Sequence, residues 1–348
     1  MLRFLTSGES HGKSLVAILE GIPSGLKVKK ERVDFELKRR QFGLGRSERQ
    51  RIEEDKVEIL SGLKKGVTIG SPLCLLIENK DFRIDELGPV VFPRPGHADL
   101  AGLIKYGFSD VRCVSERASA RETAARVGVG AICKIFLEEF RIRIHSRVLE
   151  IGGEKNTEAQ RRKIEEIRRL KDSLGGIFEV IVENIPTGLG SYTHYDKRLD
   201  ARLALVLISI PGIKAIEFGL GFGYKDKFGS QCHDSIYYSK KKGFYRKTNN
   251  AGGIEGGVSN GEDIIIRCCM KPIPTLGKPL DSVDIITKRR MKAQIERADI
   301  CAVESAGVIS EAMVSFILTD CFLEKFGQDS LEDIKKSHKA YVKRFHCP

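Results

Sequence analysis

The sequence predicts an α+β fold in a single large domain. Three observations predict it. Strand-like and helix-like segments do not alternate strictly, which argues against a doubly wound parallel sheet. No linker divides the 348 residues, a length that one large domain or two ordinary ones could fill. The segment 117–140 repeats Ala, Leu, Ile and Val at helical spacing on more than one side, as a helix lying deep in the structure must.

The elements follow in order. Segments 2–6 and 14–22 read as strands joined by a short Gly-rich loop, and 31–41 suits a helix. Segments 57–60 and 72–78 are strand candidates. Residues 81–96 form a long loop holding Pro89, Pro93 and Pro95. After the deep helix, 156–174 reads as an exposed, charge-rich helix and 177–184 as a strand. A helix over 196–210 is closed by Pro211-Gly212, and 213–219 returns as a strand. Residues 221–261 read as one unusually long loop rich in glycine, of a kind that tends to be functional. Segment 262–270 is a strand and 306–326 a second apolar helix. The expected organisation is a catalytic body over 1–328 and a polar, peripheral tail over 329–348.

Bulk properties narrow the function. The formal net charge of +12 implies an anionic partner, and charge alone does not choose among nucleic acid, a membrane surface and a phosphorylated small molecule. Trp is absent and aromatics are few, which speaks against aromatic stacking platforms for nucleic acid. Within 38–51 lie Lys38, Arg39, Arg40, Arg46, Arg49 and Arg51 against one Glu, and Gly43 and Gly45 make the stretch a loop rather than one helix face. The nine cysteines show no C-x-x-C spacing and no secretory leader precedes them, so they read as reduced thiols of a cytoplasmic protein. No apolar run approaches the roughly 20 residues that span a bilayer, and a soluble protein is expected. The seven histidines, at 11, 97, 145, 194, 233, 338 and 346, show no metal-ligand spacing.

Five stretches can carry chemistry, each with a plainer reading beside it. Ser7-Gly8-Glu9-Ser10-His11-Gly12 lies between two strands. His11 can exchange a proton near neutral pH and Ser10 could relay it; the plainer reading is a polar turn with a surface histidine. Arg94-Pro95-Gly96-His97-Ala98-Asp99 puts a second histidine on a stiffened loop, with Asp99 placed to cap the next helix. The stretch 117–123 opens the deep helix, where free N–H groups and the helix dipole bind anions and Arg117 and Arg121 add charge; a salt-bridged first turn is the alternative. The stretch 249–261 is Gly-rich but is neither a P-loop nor a dinucleotide fingerprint, and suits a wall against a flat ring system or simple flexibility. Lys271-Pro272-Ile273-Pro274-Thr275 fixes a rigid, extended path that suits cofactor binding or a turn. Asp299 reads as an anchor for a histidine or as a helix cap.

The order of these signals is more telling than any one of them. GESHG, RPGHAD, RxSARETAARV, SIPxxKxxExG, NxxGGIxGGxSNG and KPxPT, in that order over about 3–323, resemble the chorismate synthase family. The resemblance implies helices sandwiched between antiparallel β-sheets, an active site in a deep cleft and a homotetramer. It implies a lyase of aromatic amino acid biosynthesis that eliminates phosphate from 5-enolpyruvylshikimate 3-phosphate in a 1,4-anti sense, giving chorismate. Reduced FMN is the implied cofactor, and NADPH is the reductant in some members. By the same resemblance, His11 and His97 handle protons, Ser10 and Ser119 relay them, and Asp299 orients or tunes the site. Arg117, Ala118, Ser119, Pro211, Gly212, Gly256, Lys271, Pro272, Ile273, Pro274, Thr275 and Arg297 would contact the flavin. Arg40 and Arg46 would hold the substrate phosphate or NADP. No metal, nucleic acid or membrane is implied.

The chain departs from the family pattern at Ala298, Ile300 and Phe42. Two other readings remain at this point. A flavin oxidoreductase with net electron turnover would share the flavin site. A basic RNA-binding protein would share the charge, but the sequence shows no readout motif for it.

Overall fold

The computed structural model describes residues 1–46, 54–241, 243–295 and 299–346; Arg49, Arg51, Arg297 and Ala298 lie outside them. Two four-stranded antiparallel sheets form the outer layers. The first contains β1 (Arg3–Ser7), β2 (Ser14–Glu20) and β3 (Val57–Ser61). A short ladder of β4 (Leu63–Lys64) and β5 (Val67–Thr68) leads to β6 (Leu73–Glu78), and the spatial order is β1-β2-β6-β3. Arg3 stands opposite Glu20 and Ser7 opposite Val16. This register turns Leu15, Ala17 and Leu19 of β2 to one face, with Leu73, Leu75 and Ile77 of β6, all buried. A slip of one residue would expose the whole set.

The second sheet contains β7 (Arg143–Ile151), β8 (Gly176–Glu183) and β9 (Ile213–Phe218). Two small hairpins follow, β10 (Ile236–Ser239) with β11 (Gly243–Arg246) and β12 (Ile254–Glu255) with β13 (Val258–Ser259). The strand β14 (Ile264–Met270) then enters between β8 and β9, giving the order β7-β8-β14-β9. A last hairpin pairs β15 (Asp281–Val283) with β16 (Arg290–Lys292).

The helices are α1 (Lys30–Gln41), α2 (Asp99–Tyr106), α3 (Arg112–Ala118), α4 (Thr123–Glu138), α5 (Thr157–Arg169), α6 (Leu199–Ile208), α7 (Val303–Phe326) and α8 (Leu331–His346). Helices α4 and α7 lie between the sheets, which makes the fold the expected α+β sandwich. Helix α4 packs on β2 and β6, and α7 packs on β7 and β8. The two helices cross very closely. A Cβ added at Gly130 would sit 2.3 Å from Ala312 Cβ, and Ser315 Oγ donates to the Gly130 carbonyl at 3.0 Å. Nearly every side chain of α7 is buried, and each large apolar one contributes roughly 1.5–3 kcal/mol. By length and composition α7 could cross a membrane, contrary to the expectation that no such run exists; its apolar stretch is wholly buried as a core helix.

One polar cluster interrupts this core. Glu311 of α7, fully buried, accepts from Arg39 of α1 at 2.7 and 2.8 Å, from Ser146 of β7 at 2.6 Å, and from Lys134 of α4. Each cation has an acceptor, as charges removed from water require.

Several boundaries differ from expectation. The deep helix does not begin at Arg117. Ser119 is extended (φ −64°, ψ 143°) and separates α3 from a short 3₁₀ turn over Ala120–Glu122, whose Arg121 N–H donates to Ser119 Oγ. Helix α5 stops at Arg169 because Lys171 takes a left-handed backbone, φ 58°. Extended Arg198 splits the expected helix over 196–210. The expected loop over 221–261 contains the β10–β11 and β12–β13 hairpins, a 3₁₀ stretch at Gly221–Asp226 and a helical turn at Gly229–Cys232. The polar tail is helix α8: Leu331 and Ile334 are buried, and His338 meets the rings of Phe140, Phe322 and Phe326.

Candidate active site

Four stretches distant in sequence meet at one end of the α4–α7 pair. They are the β1–β2 turn, the loop before α2, the break between α3 and α4, and the 271–275 path after β14. They enclose a cavity of about 580 Å³, a size typical of small-ligand sites.

The β1–β2 turn depends on Gly8, at φ +106°. A Cβ there would lie 2.3 Å from the Ser14 carbonyl oxygen, so no other residue fits without moving the strand. Arg117 buttresses this turn by donating to Gly8 O (2.8 Å), Thr6 O (3.0 Å) and Thr6 Oγ1 (2.8 Å). The turn presents His11, whose Nδ1 lies 2.8 Å from Glu116 Oε1 while its backbone N–H donates to Glu116 Oε2 at 2.8 Å. Burial pushes the Glu116 carboxyl up, but the hydrogen bonds from the His11 ring and backbone outweigh it and hold the group below the usual carboxylate range.

The loop before α2 builds a parallel arrangement. His97 Nδ1 bonds Asp99 Oδ1. Arg94 donates to the same carboxylate through Nε at 2.8 Å and through its backbone N–H at 3.0 Å, and reaches Thr275 Oγ1 at 3.1 Å. Burial pushes the Asp99 carboxyl up, but the bonds from His97 and Arg94 hold it far below the usual range. Asp99 is therefore no helix cap: it is the first residue of α2, Ala98 holds the cap position without a side-chain bond, and Asp99 binds back to its own loop.

The arginines are held by carboxylates from behind. Asp55, buried, accepts from Arg40 at 3.0 Å and from Arg121 at 2.5 Å. Arg40 also reaches Thr123 Oγ1 at 3.4 Å, and its Nε is buried with no partner among the described residues. Burial pushes the Arg40 guanidinium down from its ordinary value, with Asp55 opposing. Burial does the same to Arg46, whose charge Asp299 supports at 2.6 Å. Lys271 donates to the Gly96 carbonyl, and burial and then the neighbouring charge of Lys214 lower its ammonium. Among the lining residues, Arg40, Arg46, Arg94, Arg121, Lys214 and Lys271 face Glu116 and Asp299. The cavity is cationic and suited to a ligand with several negative charges.

Of the residues named from sequence, Ser10, His11, His97, Ala118, Ser119, Pro211, Gly212, Lys271, Pro272, Ile273, Pro274, Thr275, Arg40, Arg46 and Asp299 line this one cavity. Ser119 Oγ donates to Ser10 Oγ at 3.3 Å. Four of the named residues stand apart. Arg117 is turned to the β1–β2 turn and does not line the cavity, because Ser119 ends the helix that carries it. Gly256 is not among the lining residues either. Of the glycines of 249–261, Gly252 and Gly253 serve close backbone packing: a Cβ at Gly252 would lie 2.3 Å from Gly219 N, and one at Gly253 2.5 Å from Asp263 O, while one at Gly256 would meet nothing within 4 Å. Arg297 lies outside the described residues. Asp299 anchors Arg46 rather than a histidine. Sequence reasoning missed Glu116 and Asp55, which have no local signal, and Lys214. It assigned no role to Arg94, although that residue stands in the loop singled out for His97.

The fold and the site together define an enzyme: a helix-filled sandwich with carboxylate-anchored imidazoles in a cationic cavity. The model of the chorismate synthase family matches residues 2–323. A chorismate synthase of Thermoanaerobacter pseudethanolicus is 54% identical over 344 residues, covering 98% of each chain. One of Aquifex aeolicus is 47% identical, covering 98% of this chain and 97% of the relative. A crystal structure of a chorismate synthase superposes with a TM-score of 0.82 at 41% identity, covering 99% of this chain and 98% of the other. The chain belongs to the chorismate synthase family, and it is a lyase.

Proposed function

We propose that this enzyme releases phosphate from 5-enolpyruvylshikimate 3-phosphate by 1,4-anti elimination, yielding chorismate, with reduced FMN bound beside the substrate. The observation that carries the reading is the convergence of six Lys and Arg side chains around two imidazoles in one cavity of about 580 Å³. A departing phosphate needs compensating positive charge and a proton, and both act most strongly where water is excluded.

The residues suit a flavin. Ala118, Ser119, Ala120 and Gly212 are small and let a flat ring approach backbone, while Pro272 and Pro274 stiffen the path beside them. The buried Arg40 Nε without a partner is a donor awaiting an anion. When bound, reduced FMN supplies transient electron donation with no net redox change. The protein's own groups do the rest. Arg40 and Arg46 bind substrate or NADP phosphate, and Arg94, Arg121, Lys214 and Lys271 add to the field that holds both anions. His11 and His97 hold the protons, one for the leaving phosphate and one for the flavin, and Ser10 and Ser119 relay them. Asp299 sets the position of Arg46. The reading includes a cytoplasmic homotetramer with no nucleic-acid or membrane partner, and NADPH as the reductant if the enzyme reduces its own flavin.

The test is anaerobic. With chemically reduced FMN the enzyme should release phosphate over many turnovers, and with oxidised FMN it should release none. Release that is indifferent to flavin, or RNA binding without any release, would remove the reading.

A further inference from the structure

We propose that Glu116 is a positioning residue that fixes the tautomer of His11, keeping hydrogen on Nδ1 and leaving Nε2 as the nitrogen that exchanges protons with the ligand. The inference rests on reading the cavity as a site of phosphate elimination, but its structural half stands separately.

Donor and acceptor matching at Glu116 fixes where the hydrogen sits. A single carboxylate meets two nitrogens of the same residue, the backbone N–H of His11 at 2.8 Å and the ring Nδ1 at 2.8 Å. An ionised carboxylate only accepts. The backbone nitrogen always donates, and Nδ1 must therefore carry hydrogen as well. The side chain of Glu116 is 6% exposed, so water competes little for these bonds. Its carboxyl is held below the usual range, which keeps it an acceptor across the working pH range. On the other side of the ring, Nε2 lies 3.9 Å from Asp81 Oδ2. Arg112, on the same helix as Glu116, adds a favourable charge to the carboxylate. Asp99 does similar work for His97 but is shared with the guanidinium of Arg94. Its removal would disturb two partners at once, which makes Glu116 the cleaner case.

Glu116→Gln distinguishes positioning from mere packing. The backbone N–H of His11 still needs an acceptor, so the introduced amide turns its oxygen there and its NH₂ toward Nδ1. That reverses the tautomer to Nε2–H and opposes the doubly protonated ring. The change in shape is minimal.

The decisive measurement is ¹⁵N NMR of the full-length protein labelled at histidine, with the His11 signals assigned by their loss in His11→Ala. In the wild type, above the titration of the ring, Nδ1 should show the protonated shift and Nε2 the unprotonated one. In Glu116→Gln the two should exchange. In the anaerobic phosphate-release assay, kcat should fall by roughly 10²- to 10⁴-fold, the scale of a histidine held in the wrong tautomer. KM should change by less than about threefold, since the Glu116 carboxylate is engaged by His11, and, with His11 acting as a proton donor, the alkaline limb of the kcat profile should move to lower pH. A wild-type ring protonated on Nε2 alone, or a folded variant with unmoved tautomer and pH profile, overturns the proposal. Should the variant not fold, the wild-type spectrum still decides. Absence of phosphate release by the wild type would count against the functional reading and leave the tautomer measurement to judge Glu116.

Discussion

Replacing Glu311 by Gln tests how the core tolerates a buried charge between its two central helices. Burial pushes this carboxyl up, but Lys134 and the hydrogen bonds from Arg39 outweigh it and bring the folded-state pKa from an ordinary 4.5 to about 2. At 1.36 kcal/mol for each pKa unit, that fall corresponds to about 3 kcal/mol of stability at neutral pH. The sign follows from linkage. A depressed carboxyl pKa stabilises the fold fully above the unfolded value of 4.5, and the contribution fades as pH falls toward about 2. The substitution also leaves the half-buried Arg39 and the buried Lys134 with one negative partner fewer, so a total loss of about 3–5 kcal/mol is expected at pH 7. Urea unfolding followed by circular dichroism measures it, since the chain has no Trp to report. The difference between wild type and variant should be largest at pH 7 and clearly smaller at pH 3. A loss under about 1 kcal/mol at pH 7, the size of an exposed ion pair, or a loss equal at both pH values, would refute the reasoning.

Two further predictions concern the cavity and its supports. His11→Ala and His97→Ala should each cut kcat by roughly 10²- to 10⁴-fold while flavin still binds, as titration of flavin absorbance would show; turnover at the wild-type level removes that histidine from the mechanism. Gly130→Ala gains about 1 kcal/mol of helix propensity but places a methyl 2.3 Å from Ala312 Cβ. A net loss of about 1–3 kcal/mol is expected in thermal or urea unfolding. Adding Ala312→Gly should restore part of it and not all, because Ala312 Cα at 2.4 Å still blocks the methyl. Full rescue, or no loss, contradicts the close crossing of α4 and α7.

The layers of this fold were legible because strand periodicity is local. Leu15, Ala17 and Leu19 alternate with less buried neighbours, and the apolar run of α7 has no polar side long enough to suggest a surface helix. The break at Ser119 was not legible, because apolar spacing continues through it; only the backbone angle reveals that Arg117 belongs to the preceding helix. The hairpins within 221–261 were hidden by their size, two to four residues a strand, amid glycine. The tail looked peripheral because its apolar residues, Leu331, Ile334 and Tyr341, are spaced along a polar helix. The histidines, arginines and the 271–275 path were found because each sits in a motif. Their carboxylate partners were not. Glu116 lies 105 residues from His11, and Asp55 lies 66 from Arg121. A single sequence carries no sign of such pairings, which arise only when β1–β2, α3 and the start of α4 are packed together.

On the proposed function, the cationic cavity with its two anchored imidazoles should release phosphate while the flavin returns unchanged. Counting both species in one anaerobic vessel tests it most directly, with reduced FMN at a tenth of the concentration of enolpyruvylshikimate phosphate. Complete release of phosphate is expected, with the flavin spectrum still that of the reduced form. One flavin oxidised for each phosphate released would contradict it and identify an oxidoreductase instead.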